Sequence, residues 1–191
     1  MSTAVAWKLD DLYTGMDDPR IDAALDQQRD RAARFDERYR GRIESPDLTA
    51  AELSAAIAEY ESIIQETAKP QSFGSLLFAA DTSDPARGAF MQRMRERGTE
   101  ISVLLLFAEL ELLRADESHI AALLRDPAMA PYRHFVTVAR TNREHQLSEP
   151  EEKVLQEKAN TGPRAFKRLF DEVISGIVFR FEREGQVETL T

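Results

Sequence analysis

The chain has 191 residues, of which 42% are hydrophobic and 31% are charged, proportions typical of a folded globular protein. Its net charge is −9 and it has no long basic run, so we expect no nucleic-acid partner. The absence of cysteine excludes a disulfide framework and thiolate chemistry. The longest uninterrupted apolar run, 103–108, is far shorter than the roughly twenty residues that span a bilayer. Without a secretory signal pattern at its start, the chain is expected in the cytoplasm, with no membrane partner.

The first predicted helix begins at Asp18-Pro19. An aspartate at this place accepts hydrogen bonds from the free N–H groups of the first turn, and a proline there sacrifices no hydrogen bond. Gly41 is placed to end the helix. Between these two signals, one face of the helix recurs at spacings of three and four residues. That face consists of Ile21, Leu25, Gln28, Ala32, Phe35 and Tyr39.

A second helix is predicted to follow Thr49. Thr49 and Glu52 have the spacing of a capping box, and an apolar stripe begins at Leu53. Pro70 is expected to end or kink this helix, because proline lacks the N–H that a helix interior needs and its ring clashes with the preceding turn. A new apolar stripe then starts at Phe73.

The third predicted helix carries two apolar stripes. Asp84-Pro85 opens it in the same way as Asp18-Pro19 opens the first. A helix that is apolar on two sides is expected to be enclosed by neighbouring helices. The first stripe consists of Phe90, Met94, Ile101, Leu105, Ala108 and Leu112, and the second of Val103, Leu106, Leu110 and Leu113.

Shorter helices are predicted over 117–125 and 131–142. Ser148 and Glu151 form a second capping box, which predicts another helix. Gly162-Pro163 reads as the entry to a last helix. The apolar residues of that helix are Phe166, Leu169, Phe170 and Val173.

From residue 177 the apolar period changes to two, and Glu184-Gly185 supplies a turn signal, which together predict a β-hairpin. The predicted fold class is mainly α: a multi-helix array of antiparallel amphipathic helices with a C-terminal β-hairpin. We assign 1–176 to a helical lobe and 177–191 to the hairpin.

Two interpretations of the hairpin remain open. An isolated hairpin is marginally stable, and a complete protein usually covers or blunts a strand edge. The hairpin either packs on the helices of a self-sufficient protein or is the truncated start of the next part of a larger enzyme. In the second case the uncovered edge and apolar faces would favour self-association of this chain.

The residues that could carry chemistry are few. A zincin site needs two histidines four residues apart on one helix, with a glutamate that activates water. His119, His134 and His145 have no such partner, and none follows the Glu-x-x-His pattern of di-iron bundles. Phosphate-binding glycine loops and G-x-S-x-G are also absent from the sequence. We predict no catalytic, cofactor-binding or metal-binding residue in this chain.

Three carboxylates in the third helix merit separate attention. Glu100, Glu109 and Glu111 lie in the most apolar part of the chain. One interpretation is that they pair with arginines of other helices or mark the solvent-facing side. The functional alternative is that one of them faces a water-filled channel and contacts the amino group of a peptide.

Four segments resemble one known family. WKLDDLYTGMDDP begins at residue 7, LLFAADTSDP covers 76–85, TEISVLLLFAELEL covers 99–112 and HQLSEPEEKVLQEKANTGPRAFKRLFDEVISGIVF covers 145–179. In this order they resemble the amino-terminal region of oligoendopeptidase F, a member of the M3 zinc metallopeptidases. The first segment is similar to the W-x-L-x-D-L-Y opening of that group.

The resemblance implies a helical, clamshell-like enzyme whose two lobes enclose a deep channel. In such enzymes an HExxH motif and a downstream glutamate bind zinc in the carboxy-terminal half, and no residue of this chain matches those motifs. By resemblance, zinc belongs to the complete enzyme and this chain holds no cofactor. The chain would form part of the channel wall, be inactive alone, and act on short peptides together with the remaining C-terminal catalytic part.

Two other functions fit the sequence. The alternative from a different class is a free-standing helical protein-interaction module. A third is a catalytically dead relative that keeps only the helical lobe.

Overall fold

The computed structural model describes residues 8–183 and 186–190, and it describes the exposure of side chains for residues 8–182. The predicted mainly α fold is confirmed. In the described part of the chain the helices are α1 Pro19–Tyr39, α2 Ala50–Ala80, α3 Pro85–Arg114, α4 Glu117–Leu123, α5 Arg133–Arg140, α6 Glu149–Lys158 and α7 Pro163–Ser175. Short 3-10 helices occupy Pro127–Met129 and Arg143–His145, and strands β1 Phe179–Arg183 and β2 Gln186–Leu190 follow α7.

The three long helices pack side by side with alternating direction. Tyr60, early in α2, bonds to Glu109, late in α3, whereas Gly74, late in α2, lies against Met91, early in α3. These pairs make α2 and α3 antiparallel. Since Arg31 of α1 bonds to Ser62 of α2 at 3.1 Å and later α1 residues meet earlier α2 residues, α1 and α2 are antiparallel as well. The core lies between these helices.

The first helix has the predicted start, buried face and end. Asp18 is the N-cap, and hydrogen bonds from Arg20 and Thr14 hold the pKa of its carboxyl well below the usual range. All six residues of the predicted face are buried. Gly41 has a φ of 72°, a left-handed conformation that glycine adopts without a steric penalty, so the chain turns away just after the helix.

Of the two outcomes predicted for Pro70, an end of the second helix is excluded, and a kink stays a prediction. One helix runs from Ala50 to Ala80, with Pro70 buried in its interior. A proline inside a helix costs about 3 kcal/mol. Burying one large apolar side chain returns roughly 1.5–3 kcal/mol, and both Ile63 and Phe73, on either side of Pro70, are buried. Packing against α1 and α3 therefore outweighs the local penalty.

The third helix is the most enclosed element. Every residue of its first predicted stripe is buried, and of the second stripe Leu110 is buried while the others are half-buried. The approach of α2 is close because Gly74 has no side chain: a Cβ there would lie 3.2 Å from the Met91 Cα atom. The prediction that neighbouring helices enclose this helix holds, with α6 and α5 packing against it in addition to α1 and α2.

The end of the third helix is held by α5. The guanidinium of Arg140, with its side chain only 7% exposed, donates to the carbonyls of Leu112 and Ala115 and pairs with Glu117 at 2.6 Å. A cation at this place satisfies free carbonyls and interacts favourably with the helix dipole. The helices predicted over 117–125 and 131–142 are both present but shorter, and the capping box of Ser148 and Glu151 is confirmed.

The predicted hairpin is present. β1 pairs with β2 in antiparallel register, from Phe179 opposite Leu190 to Arg183 opposite Gln186. The predicted turn at Glu184-Gly185 lies outside the described residues, as does Trp7 of the opening motif. Phe179 and Phe181 are exposed, so β1 does not bury them against the helices. Whether 177–191 begins the next part of an enzyme stays a prediction.

The capping box of α2 offers a direct test of local stability. Thr49 is exposed, and the backbone N–H of Glu52 donates to its hydroxyl at 3.3 Å while the Thr49 N–H donates to the Glu52 carboxylate at 2.9 Å. We expect Thr49→Ala to lower the free energy of unfolding by about 1 kcal/mol in urea titrations, and Thr49→Ser to leave it nearly unchanged. Equal losses in both variants would contradict the role of the hydroxyl.

Candidate functional site

The three histidines belong to no metal-binding group among the described residues. His134 and His145 are exposed, and His119 is half-buried. Over residues 8–183 and 186–190 there is no group of three His, Cys, Asp or Glu residues placed to hold a metal ion. The described residues therefore do not fit a zinc site of the kind that the family resemblance implies for the complete enzyme.

Glu111 is the buried carboxylate of the chain's central helix. It is only 2% exposed, and its two oxygens accept hydrogen bonds from the backbone N–H groups of Gly41 at 2.7 Å and Ile43 at 3.2 Å. The turn after α1 is thus fastened to α3 by a side chain 70 residues further along the chain. Glu111 fits neither alternative of the structural interpretation, an ion pair with an arginine or a solvent-facing position, because it is buried and backbone donors take both oxygens, while Arg114 pairs with Glu44.

Burial raises the pKa of Glu111. The two backbone hydrogen bonds favour the charged form but do not fully offset the loss of hydration. Glu44, which carries the same charge, acts in the same direction as burial. This carboxylate is a structural fastener, and its oxygens are not available to a peptide.

The other two carboxylates are exposed. Glu109 accepts a hydrogen bond from the hydroxyl of Tyr60, whose pKa is raised by burial and by the charge of Glu109. Glu100 lies on the opposite flank of α3, beside Lys153 and Glu157 of α6. Both are exposed, as the interpretation of solvent-facing carboxylates predicts, but on two different flanks of the helix.

A polar cleft of about 630 Å³ opens between α2, α3 and α7. This size falls in the range of small-ligand sites. The polar residues that line it are Gln71, Ser72, Ser75, Arg95, Thr99, Ser102 and Arg164. Sequence reasoning did not identify the cleft, because its residues come from three helices and none of them forms a recognisable motif.

α7 turns its polar side toward the helical body. Arg164 donates to Asn160 at 2.8 Å and to the hydroxyl of Thr99 at 3.1 Å, and Ser175 bonds to Thr82 at 2.8 Å. The guanidinium of Arg168 lies over the Phe78 ring, 5.5 Å from its centroid. The polar side of α7 thereby closes one wall of the polar cleft.

The apolar face of α7 points away from the described body. We define this face by Phe166, Leu169, Phe170 and Val173, all of them exposed; Phe166 is 71% and Phe170 63% exposed. Phe179 and Phe181 of β1, which follows α7 in the chain, are exposed as well. The sequence identified these four residues as the apolar residues of this helix, and the structure leaves all of them exposed.

No helix in the described part of the chain is both long enough and apolar enough to cross a membrane.

Comparison with known proteins yields one family and one fold. Residues 111–179 match the family model described as oligopeptidase F, which covers the amino-terminal region of M3 peptidases. The fold is similar to the crystal structure of oligoendopeptidase-F from Enterococcus faecium, with a TM-score of 0.69 and 20% sequence identity over 88% of this chain and 33% of that chain. The chain thus spans about a third of the length of that enzyme. No curated protein sequence matches the chain.

The resemblance stated from the sequence is confirmed. The family match covers the predicted segment 145–179, and the similarity of fold extends over most of the chain. In both respects the chain resembles the amino-terminal region of oligoendopeptidase F, and the alternative of a free-standing interaction module is not favoured.

Replacement of Glu111 should expose both its structural role and its raised pKa. We expect Glu111→Ala to lower the free energy of unfolding by roughly 2 kcal/mol or more, because the N–H groups of Gly41 and Ile43 lose their acceptor. Glu111→Gln keeps one acceptor oxygen and should lose less. Glu100→Gln, an exposed replacement on the same helix, is the matched control and should change stability little.

The pH dependence of the Glu111 effect has a defined sign. Since the folded protein holds the Glu111 proton more tightly than the unfolded chain, this residue stabilises most below the ordinary glutamate pKa of 4.5. Its contribution is lost as pH rises through the raised pKa. The stability of the wild type relative to Glu111→Gln should therefore fall as pH increases from 4.5. A difference that grows with pH would show that the pKa is lowered instead.

Proposed function

We propose that this chain is the amino-terminal, channel-forming part of an oligoendopeptidase-F-like zinc metalloendopeptidase that hydrolyses short peptides in the cytoplasm. The family match over residues 111–179 and the similarity of fold over 88% of the chain support this proposal. The length of the similar enzyme supports it too, because two thirds of that enzyme has no counterpart here.

The outward-facing apolar face of α7 is the observation that carries the proposal. Phe166 and Phe170 expose large rings on this face, and Phe179 and Phe181 of β1 are exposed too. An apolar helix face of this kind favours contact with another surface, since leaving it in water forfeits about 25 cal/mol per Å² of apolar area. We assign this surface to packing against the remaining C-terminal catalytic part, with 177–191 as the start of that part.

The role of this chain in the reaction is then to hold the short peptide and to keep folded proteins out. Its described residues do not fit a zinc site, so the zinc and its water-activating glutamate are assigned to the C-terminal part. A channel wall raises the rate by keeping a short peptide in the orientation in which it reacts. It also keeps folded proteins away from the catalytic centre. Alone, the chain is expected to be inactive.

The first test is restoration of activity. The chain and the C-terminal part that the proposal requires are each assayed with a short quenched-fluorescent peptide, and then mixed or co-expressed. Neither part should cleave at a substantial rate alone, whereas the mixture should. Cleavage by this chain alone, or full activity of the C-terminal part alone, would contradict the proposal.

A variant pair makes this test specific for the apolar face. Phe170→Ser removes an exposed ring, and Lys167→Ser introduces the same residue at an exposed position one turn away. Phe170→Ser should lower the restored activity about tenfold or more, as an anchor at an interface does. Lys167→Ser should leave it nearly unchanged. An equal loss of restored activity in both variants would show that the substitutions act by disturbing α7 and not by removing an apolar contact.

The isolated chain should also self-associate through the same surface. Sedimentation velocity is expected to show dimers or larger species that increase with protein concentration, because exposed apolar surfaces and strand edges associate. The double variant Phe166→Ser and Phe170→Ser should shift the distribution toward monomer, and Lys167→Ser should not. A chain that remains monomeric at high concentration would show that the surface is not a contact surface.

A further inference from the structure

The polar cleft contains a cation without a partner. The carbonyl of Arg95 accepts a hydrogen bond from Thr99, but its half-buried guanidinium on α3 forms no hydrogen bond or ion pair with any residue that the structure describes. Burial and the neighbouring charges of Arg164 and Arg168 lower its pKa. Like charges gathered in a half-buried place are costly unless an anion joins them. The arrangement of positive charges therefore favours the binding of an anion.

The other charges of the cleft are only partly neutralised. Glu172 pairs with Arg168 at 2.7 Å, and Asp171 is near enough to act on Arg95 electrostatically without forming an ion pair with it. One guanidinium nitrogen of Arg164 donates to Thr99 and Asn160, which are both neutral and so leave its charge without a counter-ion among these partners. The charged residues that line the cleft itself are Arg95 and Arg164, while Arg168, Asp171 and Glu172 lie outside the lining, so the cleft presents positive charge that suits an anion.

Neutral donors complete the lining. Ser72, Ser75 and Ser102 bring hydroxyl groups to the cleft, and Gln71 brings an amide. The amide lies against α3 because Gly98 has no side chain: a Cβ there would be 1.7 Å from the Gln71 Nε2 atom. Arginine and hydroxyl donors together are the set that recognises a planar oxyanion.

We propose that the polar cleft binds a carboxylate group, with Arg95 as its main cationic ligand and Arg164 as the second. This inference rests on the proposed function for the identity of the ligand, which is the free carboxyl end of a short peptide. The volume of about 630 Å³ accommodates that end together with a few residues. In the complete enzyme such a site would favour peptides with an unblocked end.

The test uses this chain alone. N-acetyl-tetraalanine with a free carboxyl group is titrated into the ¹⁵N-labelled chain, and the Nε–H signals of Arg95 and Arg164 are followed by NMR. The same peptide as its C-terminal amide and inorganic phosphate are titrated separately. We expect saturable shifts of both signals with the free carboxyl peptide, and binding of the amide weaker by about tenfold or more, since it lacks the charge.

Two variants with the same change in charge separate the site from general attraction. Arg95→Gln should weaken binding of the free carboxyl peptide about tenfold or more. Arg93→Gln removes a charge from an exposed arginine of α3, whose guanidinium lies 5.4 Å from the Phe90 ring centroid, and should leave binding unchanged. Equal losses of affinity in both variants would show that binding depends only on net charge, which would overturn the proposed site.

Three further results would also overturn the inference: no saturable shift, equal binding of acid and amide, or binding of phosphate without binding of the peptide. The comparison of acid and amide on the wild-type chain stands even if a variant fails to fold. Because no hydrolysis is measured, this test is independent of the activity assays. If the chain binds the carboxylate but peptidase activity is not restored, the carboxylate site is supported and the proposed function is contradicted.

Discussion

The structure depends on the packing of α3, which runs through the middle of the described chain, against α1, α2, α5 and α6. A helix surrounded on most sides must satisfy the polar groups at its carboxyl end without bulk water. Arg140 does so by donating to the carbonyls of Leu112 and Ala115. Glu111 uses the same buried region to fasten the turn after α1. Glu111 joins α3 to the turn after α1, and Arg140 joins α5 to the end of α3. The relative positions of these three helices are thereby defined, and the apolar side chains of the core pack between them.

The second constraint is the orientation of α7. Its polar side meets Thr99, Thr82 and Asn160, so its apolar face is left without a partner in the described residues. This orientation has two consequences. It encloses a polar cleft on the inside and presents Phe166 and its neighbours on the outside. Under the proposed function, the polar cleft would face a substrate and the apolar face would meet another part of the enzyme.

Much of the local structure follows from local residues. Asp18-Pro19, Thr49 with Glu52, and Asp84-Pro85 start the helices where predicted, because a cap satisfies donors within its own first turn. Pro70 shows the limit of this reasoning. Its local penalty is smaller than the burial energy of Ile63 and Phe73, which comes from helices distant in sequence.

The sequence by itself determined the fold class, the helix starts, the hairpin and the resemblance to the amino-terminal region of oligoendopeptidase F. These depend on periodicity, caps and motifs, which are properties of neighbouring residues. Only the tertiary structure decided that Glu111 binds backbone N–H groups near Gly41, that Arg95 and Arg164 share a cleft, and that Phe170 faces outward. An amphipathic pattern specifies that a helix has two sides, but the direction of each side depends on the elements that pack around it, and those come from distant parts of the chain.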